Sequence, residues 1–515
     1  MSNTGQVIKN VSFNWVGMAV GLVLGFVQAP IVVNGLGNTW FGIWVLINQV
    51  VSYTWLFDLG IREAVVRYVA RHHAREEYQE INEIVSSAIH VYLLISLLTI
   101  AITTVLTAIL PSIFQLDQEV VGVTRLVLFF SGLNIAINWF FNAYIGILMG
   151  LQRFDIFQKI GLGTGIVSFV LIVSFIKVGY GVIALSVISL AMSLVSNAFV
   201  YWNCRRLLPE FRLVRYDRKK FRIRPLIDYG KYVLLNNVGG KIIYASDAVI
   251  IGIFLQVSSI TFYAIAGTLI NMLRNLVSSA TWVMNPLFSQ LEASNEMGRV
   301  KDIFMRATKL SLLLGLPVGI VYLFMGEHFI TLWIGKGYGE GSAWVLIILT
   351  VGTLFTTWEH IVGSVLFGTS RHHIIAWLRI LEAGAKILLC VLFIKIWGIE
   401  GVALGAALSH LLFMGIILPV FVCREMNISI NTYAQESILP PIVSSVPFAI
   451  CCYFVNSQLL ASNMLLFFSW IAALMPVFMV SAWYFAFDRY EREEYTNMIR
   501  RFVPCLRAFV RQRSR

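Results

Sequence analysis

Charged side chains interrupt several apolar segments of this chain, and they are the first candidates for chemistry. Lys241 and Asp247 lie within one apolar segment at 227–255, and Arg274 lies within the next, at 260–290. Ionisable groups are costly in hydrocarbon, so they usually pair with one another or line a polar pathway. A cation in such a place binds anionic oxygens, and arginine donates to two of them at once. The pattern predicts either an anion-binding pathway or an internal ion pair of Asp247 with Lys241 or Arg274.

Uncharged polar residues share helix faces with these cations. At 100° per residue, small and polar residues of the first apolar segment also fall on one face, from Asn14 through three glycines to Gln28. Such faces favour either close helix packing or hydrogen bonds to a sugar, and the amide stripe of Asn134, Asn138 and Asn142 leaves the same two alternatives open. The predicted substrate-binding residues are Lys241, Arg274, Asn14, Gln28, Asn237, Asn271 and Tyr244.

Two carboxylates are candidates for coupling to an ion gradient. Asp247 could take up and release a proton as its surroundings close and open. Glu359 shares a helix face with small residues and could also face a cavity. Glu382 and Lys386 stand four residues apart with glutamate first, the favourable order, which predicts an ion pair within one helix.

The composition indicates that the chain is a membrane protein. The 515 residues are 58% hydrophobic and 13% charged, and the mean hydropathy is +0.78. Soluble globular domains do not have such values. Crossing a bilayer takes about 20 apolar residues of helix, and about fourteen segments meet that length. They lie at 11–33, 39–57, 84–110, 120–150, 156–177, 181–203, 227–255, 260–290, 306–325, 342–369, 373–396, 400–423, 437–457 and 463–487. The predicted fold class is an all-α polytopic membrane protein.

Basic residues concentrate in alternate connections between these segments. The intervening connections hold only Lys177, Lys336 and Lys395, so the positive-inside rule predicts that both termini are cytoplasmic. The net charge of +12 is therefore interpreted as a topology signal, and no nucleic-acid partner is expected. No cleavable signal peptide is evident, because the first apolar segment is too long. The basic stretch 204–226 predicts a linker between two six-helix halves, 1–203 and 227–423, with two more helices and a basic tail in 424–515.

The end of the second apolar segment changes abruptly to a basic amphipathic pattern. The stretch FDLG at 57–60 is followed by an apolar stripe that includes Ile61, Val65 and Val69. Arg62 and Arg67 lie on the opposite face of the same predicted helix. The pattern predicts a helix lying on the cytoplasmic membrane surface, since a simple positively charged stop signal does not explain the ordered stripe.

Several motifs around this stretch carry a family resemblance. They are FNWVG at 13–17, GLGNTWFGIW at 35–44, FDLG at 57–60, GILMGLQRFD at 146–155, NPLFSQL at 285–291 and LFGTSRHH at 366–373. Together they resemble the polysaccharide transporters of the multidrug/oligosaccharidyl-lipid/polysaccharide exporter superfamily, the Wzx-type oligosaccharide flippases. The resemblance implies two six-helix lobes (a parallel pseudo-repeat) around a central cavity, plus two C-terminal helices.

The resemblance also implies a function and a set of partners. It implies alternating access that moves a polyprenyl-pyrophosphate-linked oligosaccharide across a bacterial cytoplasmic membrane for surface polysaccharide synthesis. Lys241 and Arg274 would then meet the pyrophosphate or acidic sugars, and Asp58, Arg62 and Arg67 would form a cytoplasmic gate motif. Membrane lipids, a coupling H⁺ or Na⁺ and a polysaccharide polymerase are the other expected partners.

Other function classes compete with this interpretation. The chain has no phosphate-binding loop, zinc-protease motif or nucleophile elbow, so we expect no enzyme activity, no cofactor and no metal. A membrane-embedded glycosyltransferase or O-antigen polymerase would need a large outer loop, and the predicted outer connections are short. A drug exporter would favour acidic pocket residues, whereas a peptidoglycan-precursor flippase would also suit cations.

Overall fold

All regular secondary structure among the residues that the structure describes is helical. This computed structural model describes residues 3–58, 60–214, 223–281, 284–368, 372–458, 461–497 and 500, without the side chains of 3–16, 223–237, 280, 285–286, 368 and 372. Within these ranges, 11 helical segments are long and apolar enough to cross a membrane. The predicted all-α polytopic membrane fold is confirmed, and the count of about fourteen crossings stays a prediction.

The first of two compact units comprises Met1–Ile265 and Ala376–Ser409. It begins with α1, which a 3-10 turn at Tyr53–Asp58 joins to α2, and it later takes in most of α13. Its helices are α1 (Asn3–Ser52), α2 (Ile61–His73), α3 (Tyr78–Ile113), α4 (Gln118–Gly150), α5 (Phe154–Val178), α6 (Gly181–Leu207), α7 (Ile223–Phe254), the start of α8 (Ser259–Thr281) and α13 (His372–His410).

The second unit comprises Ala266–Ile375 and His410–Arg515. It contains the rest of α8, and two π-helical segments at Leu411–Ile417 and Ala434–Ile438. Its other helices are α9 (Met284–Ala293), α10 (Met297–Trp333), α11 (Tyr338–Leu354), α12 (Glu359–Gly368), α14 (Leu418–Glu425), α15 (Ile430–Tyr433), α16 (Leu439–Gln458) and α17 (Met464–Phe485). The short helix α2 follows the long helix α1, and the short helix α9 follows the long helix α8, so a long helix is twice followed by a short one.

Two of the long helices are broken where the sequence predicts a connection. In α1 the backbone is non-helical at Gly37, where φ is 75°. In α13 it is non-helical at Trp397 and Gly398, with φ of 57° at the glycine. Both glycines adopt left-handed backbone conformations that other residues rarely tolerate. Each helix therefore consists of two parts, and both breaks fall in predicted connections, at 34–38 and 397–399.

The amphipathic helix α2 packs on protein along its apolar face. Ile61, Val65 and Val69 are fully buried in a cluster with residues of α3 and α4. The two helices α2 and α4 approach so closely that a Cβ added at Gly146 would lie 2.8 Å from Val65, and one at Gly150 would lie 2.8 Å from Val69. The predicted helix exists, but its apolar stripe faces α4 rather than lipid. An amphipathic pattern alone does not distinguish these two apolar environments.

A histidine and a glutamate close the turn between α2 and α3. The Nδ1 atom of His72 lies 2.5 Å from Oε2 of Glu77. This hydrogen bond from His72 lowers the pKa of the Glu77 carboxyl below its ordinary value. The turn thus adds a polar contact to the apolar packing that fixes α2.

Candidate functional site

Charged side chains of α7 and α13 pair with each other inside the first unit. The Nζ atom of Lys386 lies 2.7 Å from Oδ1 of Asp247 and also donates to the carbonyl oxygen of Ile243. The Lys386 side chain is only 3% exposed. One turn from Glu382 on α13, Arg379 pairs with that carboxylate at 3.3 Å. These four charges form two neutral pairs, as hydrocarbon surroundings require.

Two of the predicted ion pairs are therefore wrong. Lys386 does not pair with Glu382, because its ammonium lies against the carboxylate and carbonyl of α7, while Glu382 accepts from Arg379. Within the first unit, Asp247 pairs with Lys386 of α13 rather than with Lys241 of its own helix. Helical spacing favours a partner four residues away, but it does not exclude a better placed partner on another helix.

Lys241 and Tyr244 lie on α7 between two contacts with α13. On one side, a Cβ added at Gly239 would lie 2.7 Å from Cβ of Arg379, so the two backbones nearly touch. On the other side is the pair of Asp247 with Lys386. Tyr244 is 42% exposed, and the guanidinium carbon of Arg379 lies 6.0 Å from its ring centroid.

Lys241 adds a positive charge that these ion pairs leave uncompensated. Its side chain is half-buried, and among the described residues it makes no ion pair or hydrogen bond. The pairs on α7 and α13 are neutral, so the cluster formed by Lys241, Asp247, Arg379, Glu382 and Lys386 carries a net charge of about +1. A half-buried ammonium group with no counter-ion of its own is suited to bind an anionic oxygen.

Asp58 of the FDLG stretch is a buried acceptor in a polar network. Its Oδ1 atom accepts a hydrogen bond of 2.8 Å from the Tyr92 hydroxyl, which accepts one of 3.1 Å from Asn142 Nδ2. Trp139 covers the network, with its ring centroid 5.7 Å from that of Tyr92. The contacts join the end of the 3-10 turn to α3 and α4, so Asp58 holds these elements together.

Removing the Tyr92 hydroxyl is expected to destabilise the first unit. The variant Tyr92→Phe leaves the buried carboxylate of Asp58 without its tyrosine donor, which costs about 1.5–3 kcal/mol for a hydrogen bond to a charged group. The measurement is the midpoint of thermal unfolding in detergent. Tyr201→Phe is a control, because that hydroxyl accepts from the exposed side chain of Arg205. An equal shift of the midpoint in both variants would contradict the role assigned to Tyr92.

The amide stripe of α4 is largely used in packing between helices. Oδ1 of Asn138 accepts hydrogen bonds of 3.0 Å from Ser193 and Asn197 of α6. Asn142 donates to Tyr92 of α3. Of the two alternatives that spacing left open, these contacts favour helix packing for Asn138 and Asn142.

Glu359 has a histidine partner that the sequence pattern did not indicate. Its Oε2 atom lies 3.2 Å from Nε2 of His410, and both side chains are buried in the second unit. The two residues are far apart in the chain and share no local motif. A carboxylate and an imidazole in contact can share one proton between them.

The other predicted site residues are distributed over both units. In the first unit, Gln28 is half-buried, Arg67 is exposed, and Arg62 pairs with its neighbour Glu63 at 3.0 Å. In the second unit, α8 carries Asn271, which is exposed, and Arg274, which is half-buried. The side chains of Asn14 and Asn237 lie outside the described residues.

A family model described as "Polysaccharide biosynthesis protein" matches residues 36–343, which include α7 with Lys241. The chain belongs to this family. The chain is 28% identical over 188 residues to the "Probable low-salt glycan biosynthesis flippase Agl15" of Haloferax volcanii, a match that spans 36% of this chain and 39% of that protein. It is 21% identical over 412 residues to a "Putative O-antigen transporter" of Shigella flexneri, which spans 79% and 96% of the two chains.

Solved structures share the fold of this chain at low sequence identity. The inward closed conformation of the lipid II flippase MurJ aligns with a TM-score of 0.72 at 14% identity, over 92% of this chain and 98% of that one. An inward-facing multidrug resistance transporter of the MATE family aligns with a TM-score of 0.65 at 16% identity, over 80% and 98%. At such identities the similarity establishes the fold alone.

Proposed function

We propose that this protein is a flippase that moves a polyprenyl-pyrophosphate-linked oligosaccharide across the bacterial cytoplasmic membrane for surface polysaccharide synthesis. The observation that carries the proposal is Lys241, a half-buried cation with no counter-ion among the described residues. It lies one turn from the exposed ring of Tyr244. An ammonium and a partly exposed aromatic ring on one helix face suit a phosphate followed by a sugar. The names of the Haloferax and Shigella relatives support this substrate class.

The proposed mechanism is alternating access between two lobes, 1–203 and 227–423. The polar head passes through a central cavity while the polyprenyl tail stays in lipid, and no chemical bond is made or broken. Lys241 and Arg274 bind the pyrophosphate, and amide or phenol groups of Asn14, Gln28, Asn237, Asn271 and Tyr244 bind the sugars. Both termini are cytoplasmic, and Asp58, Arg62 and Arg67 belong to the cytoplasmic gate.

Coupling to H⁺ or Na⁺ is assigned to Glu359 rather than to Asp247. The Lys386 ammonium lies 2.7 Å from the Asp247 carboxylate and neutralises it. Asp247 is therefore less suited to bind a coupling cation. Glu359 instead lies 3.2 Å from the imidazole of His410, and both side chains are buried in the second unit. A polysaccharide polymerase that receives the flipped substrate is the expected protein partner.

The test is transport of a fluorescent polyprenyl-pyrophosphate oligosaccharide by the purified protein in proteoliposomes. We expect the label to reach the opposite leaflet, and the rate to respond to a proton or sodium gradient. A lipid-linked disaccharide peptide and a cationic drug are assayed in parallel. Transport of the peptide-bearing lipid alone would identify a peptidoglycan-precursor flippase, and transport of the drug alone would identify a drug exporter. Transfer of sugar to an acceptor without transport would identify a glycosyltransferase.

A further inference from the structure

Helix α13 holds the segment of α7 that carries Lys241 and Tyr244, and one of its contacts is made by Lys386. The Lys386 ammonium contacts both the Ile243 carbonyl and the Asp247 carboxylate, which are one helical turn apart on α7. One side chain therefore joins two oxygens of the same turn. Because Lys386 is 3% exposed, water cannot readily replace it there.

The second contact lies at the other end of the same segment. At Gly239 an added Cβ would lie 3.0 Å from the carbonyl carbon of Arg379, so α7 meets the backbone of α13 there. Lys241 and Tyr244 lie between this contact and the Asp247 pair. Their backbone positions relative to α13 are consequently fixed from both sides.

We propose that Lys386 is a positioning residue for substrate binding, because it fixes the turn of α7 that presents Lys241 and Tyr244. This inference rests on the proposed function for what Lys241 binds. Ligand groups act best when their supporting contacts hold them in place, since displacement by about 1 Å can cost roughly 100-fold in function. Lys386 itself does not need to touch the substrate.

The chain offers a matched control for this inference. In the second unit, Lys309 of α10 forms a comparable buried pair with Glu491 at 2.8 Å, with side chains 10% and 4% exposed. Lys309→Met and Lys386→Met therefore each remove one ammonium from a buried ion pair. Only Lys386→Met removes a contact to the α7 turn.

The experiment measures how fast an amine-reactive ester labels Lys241 in the full-length protein, with peptide mass spectrometry as the readout. Lys386→Met is expected to raise the labelling rate about tenfold, which corresponds to about 1.4 kcal/mol of lost local stability. Lys309→Met is expected to change it by less than about twofold, because distant sites act independently. Asp247→Asn, which keeps an oxygen near Lys386, is expected to have an intermediate effect and serves if Lys386→Met does not fold.

A second readout links the position of α7 to the substrate. Polyprenyl pyrophosphate should protect Lys241 from labelling in the wild type, and Lys386→Met should raise the apparent KM for transport about tenfold with little change in the maximal rate. Equal labelling changes in Lys386→Met and Lys309→Met, or no change in either, would overturn the positioning role and leave the proposed function intact. If polyprenyl pyrophosphate did not protect wild-type Lys241 from labelling, the proposed function would be contradicted. The role of Lys386 in substrate binding would then be contradicted as well.

Discussion

Lys241→Gln is expected to abolish most transport of a polyprenyl-pyrophosphate oligosaccharide while the protein remains folded. Glutamine keeps a hydrogen-bond donor but loses the positive charge at a half-buried position. A hydrogen bond to a charged group contributes about 1.5–3 kcal/mol, so the initial rate at low substrate should fall roughly 10- to 100-fold. The measurement is the rate of flipping in proteoliposomes, with protein amount and unfolding midpoint recorded for each variant.

The control for this prediction is a cation of the same unit outside the α7 turn. Lys395→Gln removes an exposed ammonium that lies 6.0 Å from the ring centroid of Phe254, and we expect transport close to wild type. Lys241→Arg retains the charge and should recover part of the rate. If Lys241→Gln transported as well as Lys395→Gln, Lys241 would not be a substrate ligand.

Lys309→Met is expected to destabilise the second unit more than Arg306→Gln does. The Lys309 ammonium donates to both carboxylate oxygens of Glu491, at 3.0 Å and 2.8 Å. Removing one partner of such a pair leaves a buried carboxylate uncompensated, which costs about 3–5 kcal/mol. The readout is the shift of the thermal unfolding midpoint in detergent.

The neighbouring ion pair provides a control on the same helix. Arg306 pairs with Glu494 at 2.7 Å, but these side chains are 35% and 39% exposed. Arg306→Gln should therefore cost less than about 1 kcal/mol. The double variant Lys309→Met with Glu491→Gln should recover much of the loss, because it removes both buried charges and keeps an acceptor for the backbone N–H of Asp488. A double variant as unstable as Lys309→Met would show that packing, rather than charge, dominates at this position.

Much of the fold could be predicted from the sequence because the bilayer imposes a simple rule on composition. Apolar length identifies the crossing helices, and the predicted connections coincide with the backbone breaks at Gly37 and Gly398. The stripe of Ile61, Val65 and Val69 likewise predicts α2 as a helix. The stripe packs on α4 because Gly146 and Gly150 let the two helices approach closely. The sequence pattern of α2 alone does not predict that contact.

The polar sites were less predictable, because their partners are remote in the chain. Glu382 and Lys386 have ideal spacing for a local pair, yet Lys386 is 143 residues from the Ile243 carbonyl that it contacts. Glu359 has no visible partner in the sequence, but it lies beside His410. Sequence spacing does identify the helix face that holds Lys241 and Tyr244, which remain the strongest candidates for substrate binding.

The remote partner of Asp247 also has a consequence for biosynthesis. The ribosome makes α7 well before α13, and Lys386 follows the Ile243 turn by 143 residues. At about 5–20 residues per second, that interval lasts roughly 7–30 s. An unpaired aspartate near the middle of a membrane helix costs about 2.5–3.5 kcal/mol during insertion. Until α13 is made, Asp247 lacks the Lys386 ammonium that neutralises it, so α7 carries up to this cost without compensation.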